Sequence, residues 1–190
     1  FGPGQTSLWR LVKQCGVGHV VGGIPLRPRP GASPEQQPWS FTSLLRAKTS
    51  YNNAGFEFAV IESRPPMEKI KLGLPGRDEE MTVVQEMIRN MGKLGIPVWC
   101  YEWMPVMNWM RASTTVPSRG GALATGYDHS LMVDAPLTEY GVVTEDELWE
   151  NLQYFLDRVV DRIVELDEGT LTEYPGDYSY YREEKARRAQ

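Results

Sequence analysis

The order of apolar and polar positions along the chain predicts strands that alternate with helices. The predicted strands lie at residues 17–24, 56–62 and 95–101, preceded by the end of another at 1–4, and the predicted helices lie at 8–15, 40–54, 78–94 and 144–160. This alternation implies parallel βα units, about four in this chain. A small doubly wound sheet and part of a closed (β/α)₈ barrel, which needs eight units and about 250 residues, both fit the pattern.

The predicted elements have defined buried faces. We expect the first helix to bury Leu8, Leu11, Val12 and Cys15, and the third to bury Met81, Val84, Met87, Ile88, Met91 and Leu94. Asp78 is suited to cap the third helix, and Thr144 with Glu147 forms a capping box for the fourth. The strand at 95–101 is expected to be buried on both faces.

Other segments lack this alternation. Residues 25–38 contain five prolines and cannot form regular structure, and residues 102–143 are expected to form a long loop. Further on, residues 162–174 predict a hairpin with its turn at 167–169, and residues 178–190 predict a polar helix.

Composition and charge narrow the class of protein. The chain has 190 residues, of which 41% are hydrophobic and 24% are charged, as expected for one globular domain with a sizeable core. A net charge of -5 argues against a nucleic-acid-binding surface. No apolar run approaches the roughly 20 residues that span a bilayer, and the start FGPGQTS does not resemble a signal peptide. We therefore expect a cytoplasmic protein without membrane partners.

The cysteines and histidines do not predict a metal site. Cys15 and Cys100 lie far apart in apolar surroundings and are expected to be reduced, buried thiols. His19 lies in a strand-like run, where we expect it to make one polar contact, and His129 follows Asp128 in a loop. The spacing of the two cysteines and two histidines matches no metal-ligand pattern. Asp128 and His129 are adjacent in a loop, where neighbouring side chains diverge, so we do not expect them to form an acid–base pair.

The most informative stretch runs from Gly95 to Ala112 and reads GIPVWCYEWMPVMNWMRA. A short apolar strand there ends in a loop that combines large aromatic rings, methionines and polar groups. This mixture suits a sugar-sized ligand. A partly buried loop that is packed by its own side chains explains the same composition, so both interpretations stay open at this point.

Four blocks in this order resemble mannonate dehydratases. They are IESRPPMEKIKLG (61–73), CYEWMPVMNWMRAS (100–113), GGALATGYDHSLM (120–132) and APLTEYGVVTEDELWENLQYFL (135–156). The likeness runs from about residue 1 to about residue 160 and covers roughly the first half of such an enzyme. In a loop that often reads Asp-Trp-Thr-Arg-Thr in the family, Asn108, Met110 and Ala112 replace the aspartate and the two threonines, whereas Trp109 and Arg111 remain.

The resemblance implies the first half of a TIM (β/α)₈ barrel of the xylose-isomerase-like type, and a lyase of glucuronate catabolism. Such enzymes convert D-mannonate to 2-keto-3-deoxy-D-gluconate and water, with Mn²⁺ or Fe²⁺ as a Lewis acid on the substrate oxygens. The family's metal ligands are histidine, cysteine, histidine and aspartate from the second half of the barrel, and they have no counterpart here. We therefore assign no metal ligand and no catalytic acid or base, and we expect this chain to be inactive by itself.

Part of a substrate-binding wall is expected, because the active sites of such barrels lie at the C-terminal ends of the strands. The candidate substrate-binding residues are Glu62, Lys71, Tyr101, Trp109 and Arg111. Arg111 is the strongest candidate, since a planar guanidinium matches a carboxylate. Structural roles also explain these residues: Arg111 as a loop brace, Trp109 as loop packing, and Glu62 as a support for the Lys71 loop.

The end of the chain carries a second resemblance. Residues from about 154 to 190 resemble the segment that leads from the first nucleotide domain of ABC-F ATP-binding-cassette proteins into their interdomain linker. Because YFLDRVV (154–160) fits both families, we expect a mannonate dehydratase-like domain at 1–160 and an ABC-F-like hairpin and charged helix at 161–190. The hypothesis is a chimera of two genes, and the alternative is a natural divergent C-terminus. Amplification of the locus across the codons for residues 154–160 separates them, because one continuous product contradicts an artificial join.

Other function classes remain. A xylose-isomerase-like sugar isomerase or epimerase would share the barrel and the metal, so the four ordered blocks are what favours a dehydratase. A non-catalytic interaction module is suggested by the C-terminal segment, and the lack of a GxxxxGK[ST] loop excludes ATP hydrolysis. The expected partners are a small-molecule sugar acid and, through an open barrel edge, further copies of the chain.

Overall fold

Three short parallel strands form the central sheet of the computed structural model, which describes residues 4, 6–106, 110–160, 163–167 and 170–188. The strands are β1 (His19–Gly22), β2 (Glu57–Ile61) and β3 (Val98–Trp99), and β2 lies in the middle. The helices are α1 (Ser7–Gln14), α2 (Phe41–Asn53), α3 (Glu68–Leu72), α4 (Arg77–Leu94) and α5 (Glu145–Val159). The fold also contains two antiparallel hairpins, β4 (Ser113–Pro117) with β5 (Leu123–Gly126) and β6 (Ile163–Asp167) with β7 (Thr170–Tyr174). A sixth helix, α6 (Tyr178–Arg188), follows the second hairpin.

The order of these elements confirms a mixed α/β fold with parallel strands. A helix follows each strand of the sheet, and strands that are consecutive in the chain pair with each other, as in sequential βα units. The helices also pack in chain order, since α4 contacts both α2 and α5. The strand predicted to end at residues 1–4 falls almost entirely outside the described residues. Among the described residues, no helix is long and apolar enough to cross a membrane.

The register of the sheet separates two faces. Val21, Val60 and Val98 lie opposite one another in one row, and the next row contains Gly22, Ile61 and Trp99. The Ile61 row faces the helices, where Ile61 is fully buried. The valine row faces the other way, and Val21 and Val98 are 47% and 48% exposed. The described part of the chain therefore covers the sheet with helices on one face only.

Two apolar clusters hold the helices to the sheet. The larger cluster lies between β1, β2, α2 and α4, and its centre is a stack of Phe58 on Tyr51 with ring centroids 4.6 Å apart. The smaller cluster joins α3, α4 and α5 around Met67, Ile70 and Phe155. Each fully buried side chain of this size contributes about 1.5–3 kcal/mol to folding, so these two clusters hold α1 to α5 against the sheet and against one another.

The buried face predicted for α1 is wrong except at Val12, which packs against the larger cluster. Leu8 and Leu11 are more than half exposed, whereas Trp9 is 4% exposed. The Trp9 ring stacks on Tyr51 at 4.9 Å and meets Phe56 edge-on at 5.6 Å. One aromatic side chain buries more apolar area than either leucine, and it has matching rings to pack against, so α1 turns its tryptophan inward.

The predictions for the last strand of the sheet and for the cysteines need correction. Val98 was expected to be buried on both sides, but it is half exposed because the described helices cover only the opposite face. Cys100 is exposed for the same reason. It lies two residues after Val98, so its side chain points to the same face of the sheet. Cys15, expected to be buried, is exposed beyond the end of α1.

The predicted boundaries of α4 and α5 differ in accuracy. The capping box of α5 is confirmed, with the Thr144 N–H donating to Glu147 Oε2 over 2.8 Å. The cap predicted for α4 is wrong, because the helix already begins at Arg77, after Gly76 in a left-handed conformation. Asp78 instead lies in the first turn, near the positive end of the helix dipole, and accepts a hydrogen bond from the Tyr154 hydroxyl.

The sequence predicted one of the two hairpins among the described residues and missed the other. The C-terminal hairpin and helix are confirmed, although residues 168–169 of the predicted turn lie outside the described residues. α6 lies against α5, where the Ser179 N–H and hydroxyl both donate to the Asp157 carboxylate over 2.9 Å. The β4–β5 hairpin falls within the segment predicted to be a long loop. Its strands are almost wholly exposed and lack the apolar alternation that would have indicated them.

Candidate functional site

An open groove of about 590 Å³ lies where β1, β2 and β3 end. Pro25 and Pro28, from the proline-rich segment after β1, line one side, and Pro65 and Pro66, from the segment after β2, line the other. Proline has a fixed φ and no backbone N–H, so these walls are stiff and offer few donors of their own. Recognition of a polar ligand must therefore come from the charged side chains in the groove: Arg27, Glu62, Arg64, Glu68 and Glu102.

Ser63 ties the ends of the three strands together. Its hydroxyl oxygen accepts a hydrogen bond from the Ile24 N–H over 2.9 Å and donates to the Glu62 carbonyl over 2.7 Å. The Trp99 indole N–H, at the end of β3, donates to the Ser63 carbonyl over 2.8 Å. Ser63 thus connects the end of β2 to Ile24, which follows β1, and to Trp99, the last residue of β3. These bonds determine where the neighbouring Glu62 and Arg64 lie.

Arg64 and Glu102 form an ion pair across the groove. Arg64 Nη1 donates to Glu102 Oε2 over 2.6 Å, and the two side chains are only 16% and 25% exposed. Glu102 has a left-handed backbone with φ 49°, which non-glycine residues adopt at a cost of about 1–3 kcal/mol, most often at functional sites. The pair places a guanidinium and a carboxylate side by side at the ligand-accessible surface.

Lys71 is completely buried next to this pair. It lies on α3 rather than in the predicted loop, and its Nζ is 3.3 Å from the Met104 carbonyl oxygen and 3.6 Å from Glu68 Oε1. Burial lowers the pKa of Lys71 from its ordinary value of 10.5, and the positive charge of Arg64 adds to the effect while Glu68 opposes it. Its ammonium group therefore acts inside the protein, one layer behind the groove.

The other predicted site residues lie in different surroundings. Glu62 lines the groove and is exposed, and the contacts of Lys71 go to Glu68 and Met104 rather than to Glu62. Tyr101 packs on Phe155 of α5 with ring centroids 5.3 Å apart, and burial raises the pKa of its hydroxyl.

Arg111 lies at the start of the β4–β5 hairpin. Its Nε donates to Thr125 Oγ1 over 2.9 Å, and its Nη1 donates to the Met110 carbonyl over 2.8 Å. These contacts match the loop-bracing explanation of this arginine. Trp109, which was predicted to contact substrate, lies outside the described residues.

The residues present do not fit a manganese or iron site. In the described ranges of the chain, no three side chains of histidine, cysteine, aspartate or glutamate come together in a way that could hold a metal ion. Glu102 is paired with Arg64, and Glu68 lies beside Lys71. His129 contacts the Tyr127 hydroxyl over 3.1 Å, and His19 meets Glu57 over 3.1 Å, which confirms one polar contact for His19.

Comparison with known proteins identifies the family. The model of the D-mannonate dehydratase (UxuA) family matches residues 1–139, nearly three quarters of the chain. The parallel strands and the groove at their C-terminal ends fall within this match. The chain therefore belongs to the D-mannonate dehydratase family.

Individual relatives agree with this assignment. The mannonate dehydratase of Thermotoga neapolitana is 33% identical over 165 residues, which cover 70% of this chain and 46% of that protein. The enzyme of Shouchella clausii is 32% identical over 152 residues, covering 64% of this chain and 42% of its own length. The crystal structure of mannonate dehydratase from Streptococcus suis serotype 2 superposes with a TM-score of 0.64 and 29% identity over 81% of this chain and 45% of that one. The chain spans about half the length of the relatives it matches.

Sequence reasoning missed part of the groove. Arg64 and Ser63 follow β2 directly, a position where barrel enzymes carry ligand-binding side chains, and this signal was available. Glu102 was visible as the end of a strand, but its pairing with Arg64 was not. The two residues are 38 positions apart, and only the parallel pairing of β2 and β3 brings them together.

The buried Lys71 predicts a pH dependence of stability. Its pKa is lowered in the folded protein, so between the lowered value and 10.5 the unfolded chain binds more protons than the folded chain. The free energy of unfolding of the native chain minus that of a Lys71→Met variant should therefore increase as pH rises from neutral toward about 10. Urea unfolding of both proteins at several pH values measures this difference. Lys69→Met, an exposed lysine on the same helix, controls for the loss of a charge. A difference that falls with rising pH would contradict the burial argument.

Proposed function

We propose that this chain forms the substrate-binding half of a mannonate dehydratase of the (β/α)₈ barrel type. The observation that carries the proposal is the position of the charged groove, which lies at the C-terminal ends of parallel strands inside the family match. Barrel enzymes bind their substrates at this end of the strands. The groove is large enough for a six-carbon sugar acid such as D-mannonate, and it contains arginines for a carboxylate and glutamates for hydroxyl groups.

In this proposal, Arg64 provides the positive charge that faces the substrate carboxylate. A guanidinium forms stronger hydrogen bonds with a carboxylate than a neutral donor does, and its planar geometry orients the acid. Glu102 holds this guanidinium in place. Glu62, whose carboxylate is exposed in the groove, accepts hydrogen bonds from the sugar hydroxyls.

These residues bind and orient the substrate but do not complete the chemistry. Dehydration requires removal of a proton from the carbon next to the carboxylate and departure of a hydroxide, which both need a positioned acid and base. The groove offers the carboxylates of Glu62, Glu68 and Glu102 and two arginines, Arg27 and Arg64, and among the described residues no cluster could hold a metal ion. We therefore expect this chain to bind D-mannonate without converting it.

The binding prediction separates the two arginines. Isothermal titration calorimetry of D-mannonate into the chain should detect binding that Arg64→Met weakens by about 10–100-fold, the value of one charge-assisted contact. Arg111→Met, an arginine of the exposed hairpin, should change the affinity less than about twofold. Circular dichroism establishes that both variants fold. If Arg111→Met abolishes binding and Arg64→Met does not, the carboxylate contact belongs to Arg111, as the sequence alone suggested.

We also propose that the chain self-associates through its sheet. The valine row is exposed, and in the described part of the chain β3 pairs with β2 alone, so an edge strand is left open. Open edges beside apolar surface favour pairing with another chain. Sedimentation velocity should show oligomers of the native chain, and the double variant Val21→Lys/Val98→Lys should shift them toward monomer.

A matched control for this experiment is Val142→Lys, since Val142 is 75% exposed in the loop before α5 and far from the valine row in sequence. Because the test variant adds two positive charges, Val142→Lys is combined with Val133→Lys, at a position that is 67% exposed, and this double control should leave the oligomers unchanged. A native chain that sediments as a single monomeric species across a wide concentration range would contradict the proposal.

A further inference from the structure

The segment that follows β3 has an unusual backbone. Glu102 and Val106 both adopt left-handed conformations, with φ 49° and 65°, and the Met104 N–H donates to the Glu102 carbonyl over 2.8 Å within the same tight turn. A left-handed conformation is especially unfavourable for a β-branched residue such as Val106. Such a segment keeps its shape only where surrounding contacts determine it.

Besides the Arg64–Glu102 ion pair, two contacts among the described residues hold this segment from outside. The Trp103 ring packs on Phe155 of α5 with centroids 5.2 Å apart. The Met104 carbonyl, midway between the two left-handed residues, accepts a hydrogen bond from Lys71 Nζ over 3.3 Å. The second contact comes from a lysine with no exposed side-chain surface, although a buried amine is costly unless it is paired.

We infer that Lys71 is a positioning residue that holds the 102–106 segment in its left-handed shape and thereby keeps Glu102 against Arg64 in the groove. Glu68 Oε1, 3.6 Å from Lys71 Nζ, balances the charge of the lysine from the same helix. Substrate cannot reach a side chain that is fully buried, so Lys71 acts on binding through Met104 and Glu102 instead of contacting the ligand.

The inference has a direct test in the native chain. In ¹⁵N-lysine NMR spectra, the Lys71 ammonium group should exchange slowly with water and keep its chemical shift when D-mannonate is added to saturation. This readout needs no variant. A large shift of the Lys71 resonance on addition of D-mannonate would show direct contact and overturn the positioning role.

Variants test the route from Lys71 to the groove. Lys71→Met should raise the amide exchange rate of Met104, whose N–H is bonded within the turn, and those of Glu102, Trp103 and Val106 by about tenfold or more, while those in the middle of α4 stay unchanged. Lys71→Arg, which keeps a charged donor, should retain much of the native protection. Unchanged exchange at 102–106 in a folded Lys71→Met protein would overturn the inference.

The binding arm of the test rests on the proposed function. Lys71→Met and Glu102→Gln should each weaken D-mannonate binding, and the double variant should bind no more weakly than Glu102→Gln alone, because the first residue acts through the second. Additive losses would instead assign Lys71 an independent contact with the ligand. If the native chain does not bind D-mannonate, the proposed function fails, whereas the exchange measurement still decides the role of Lys71.

Discussion

The groove depends on the parallel pairing of β2 with both of its neighbours. Because Val60 and Ile61 lie opposite Val98 and Trp99, the residues that follow β2 and β3 emerge at the same edge of the sheet. Ser63 then bonds to Ile24 and Trp99, and Arg64 meets Glu102. A register shift by one residue would send these side chains to the opposite face and separate the ion pair.

The same pairing explains what the sequence could predict. The proline-rich segment, predicted to lack regular structure, contains a short 3₁₀ helix at Pro34–Gln36, because proline is tolerated at the first helical position. Local signals were sufficient where the structure is decided locally: the capping box of α5 and the apolar face of α4 around Met87. They failed where a distant partner decides the outcome. Trp9 displaced the leucines of α1 because Tyr51 and Phe56 offered it rings, and neither ring is near it in sequence.

The candidate site shows the same limit. Of the predicted site residues, Glu62 lies in the groove and Lys71 lies directly behind it. Arg111 attracted attention by its chemical type, but its described contacts are with a hairpin that the polar pattern did not indicate. Arg64 lies between the end of β2 and two prolines, Pro65 and Pro66. Its place in the groove became visible only through its ion pair with Glu102.

The central claim is that this chain carries the substrate-binding half of the proposed site and no group that completes the dehydration. The most direct test is to incubate the purified chain with D-mannonate and Mn²⁺ and to follow the 2-keto product over time. Our account predicts no product above the rate without protein. Metal-dependent formation of the product would contradict it, because the described residues contain no cluster that could hold the metal ion.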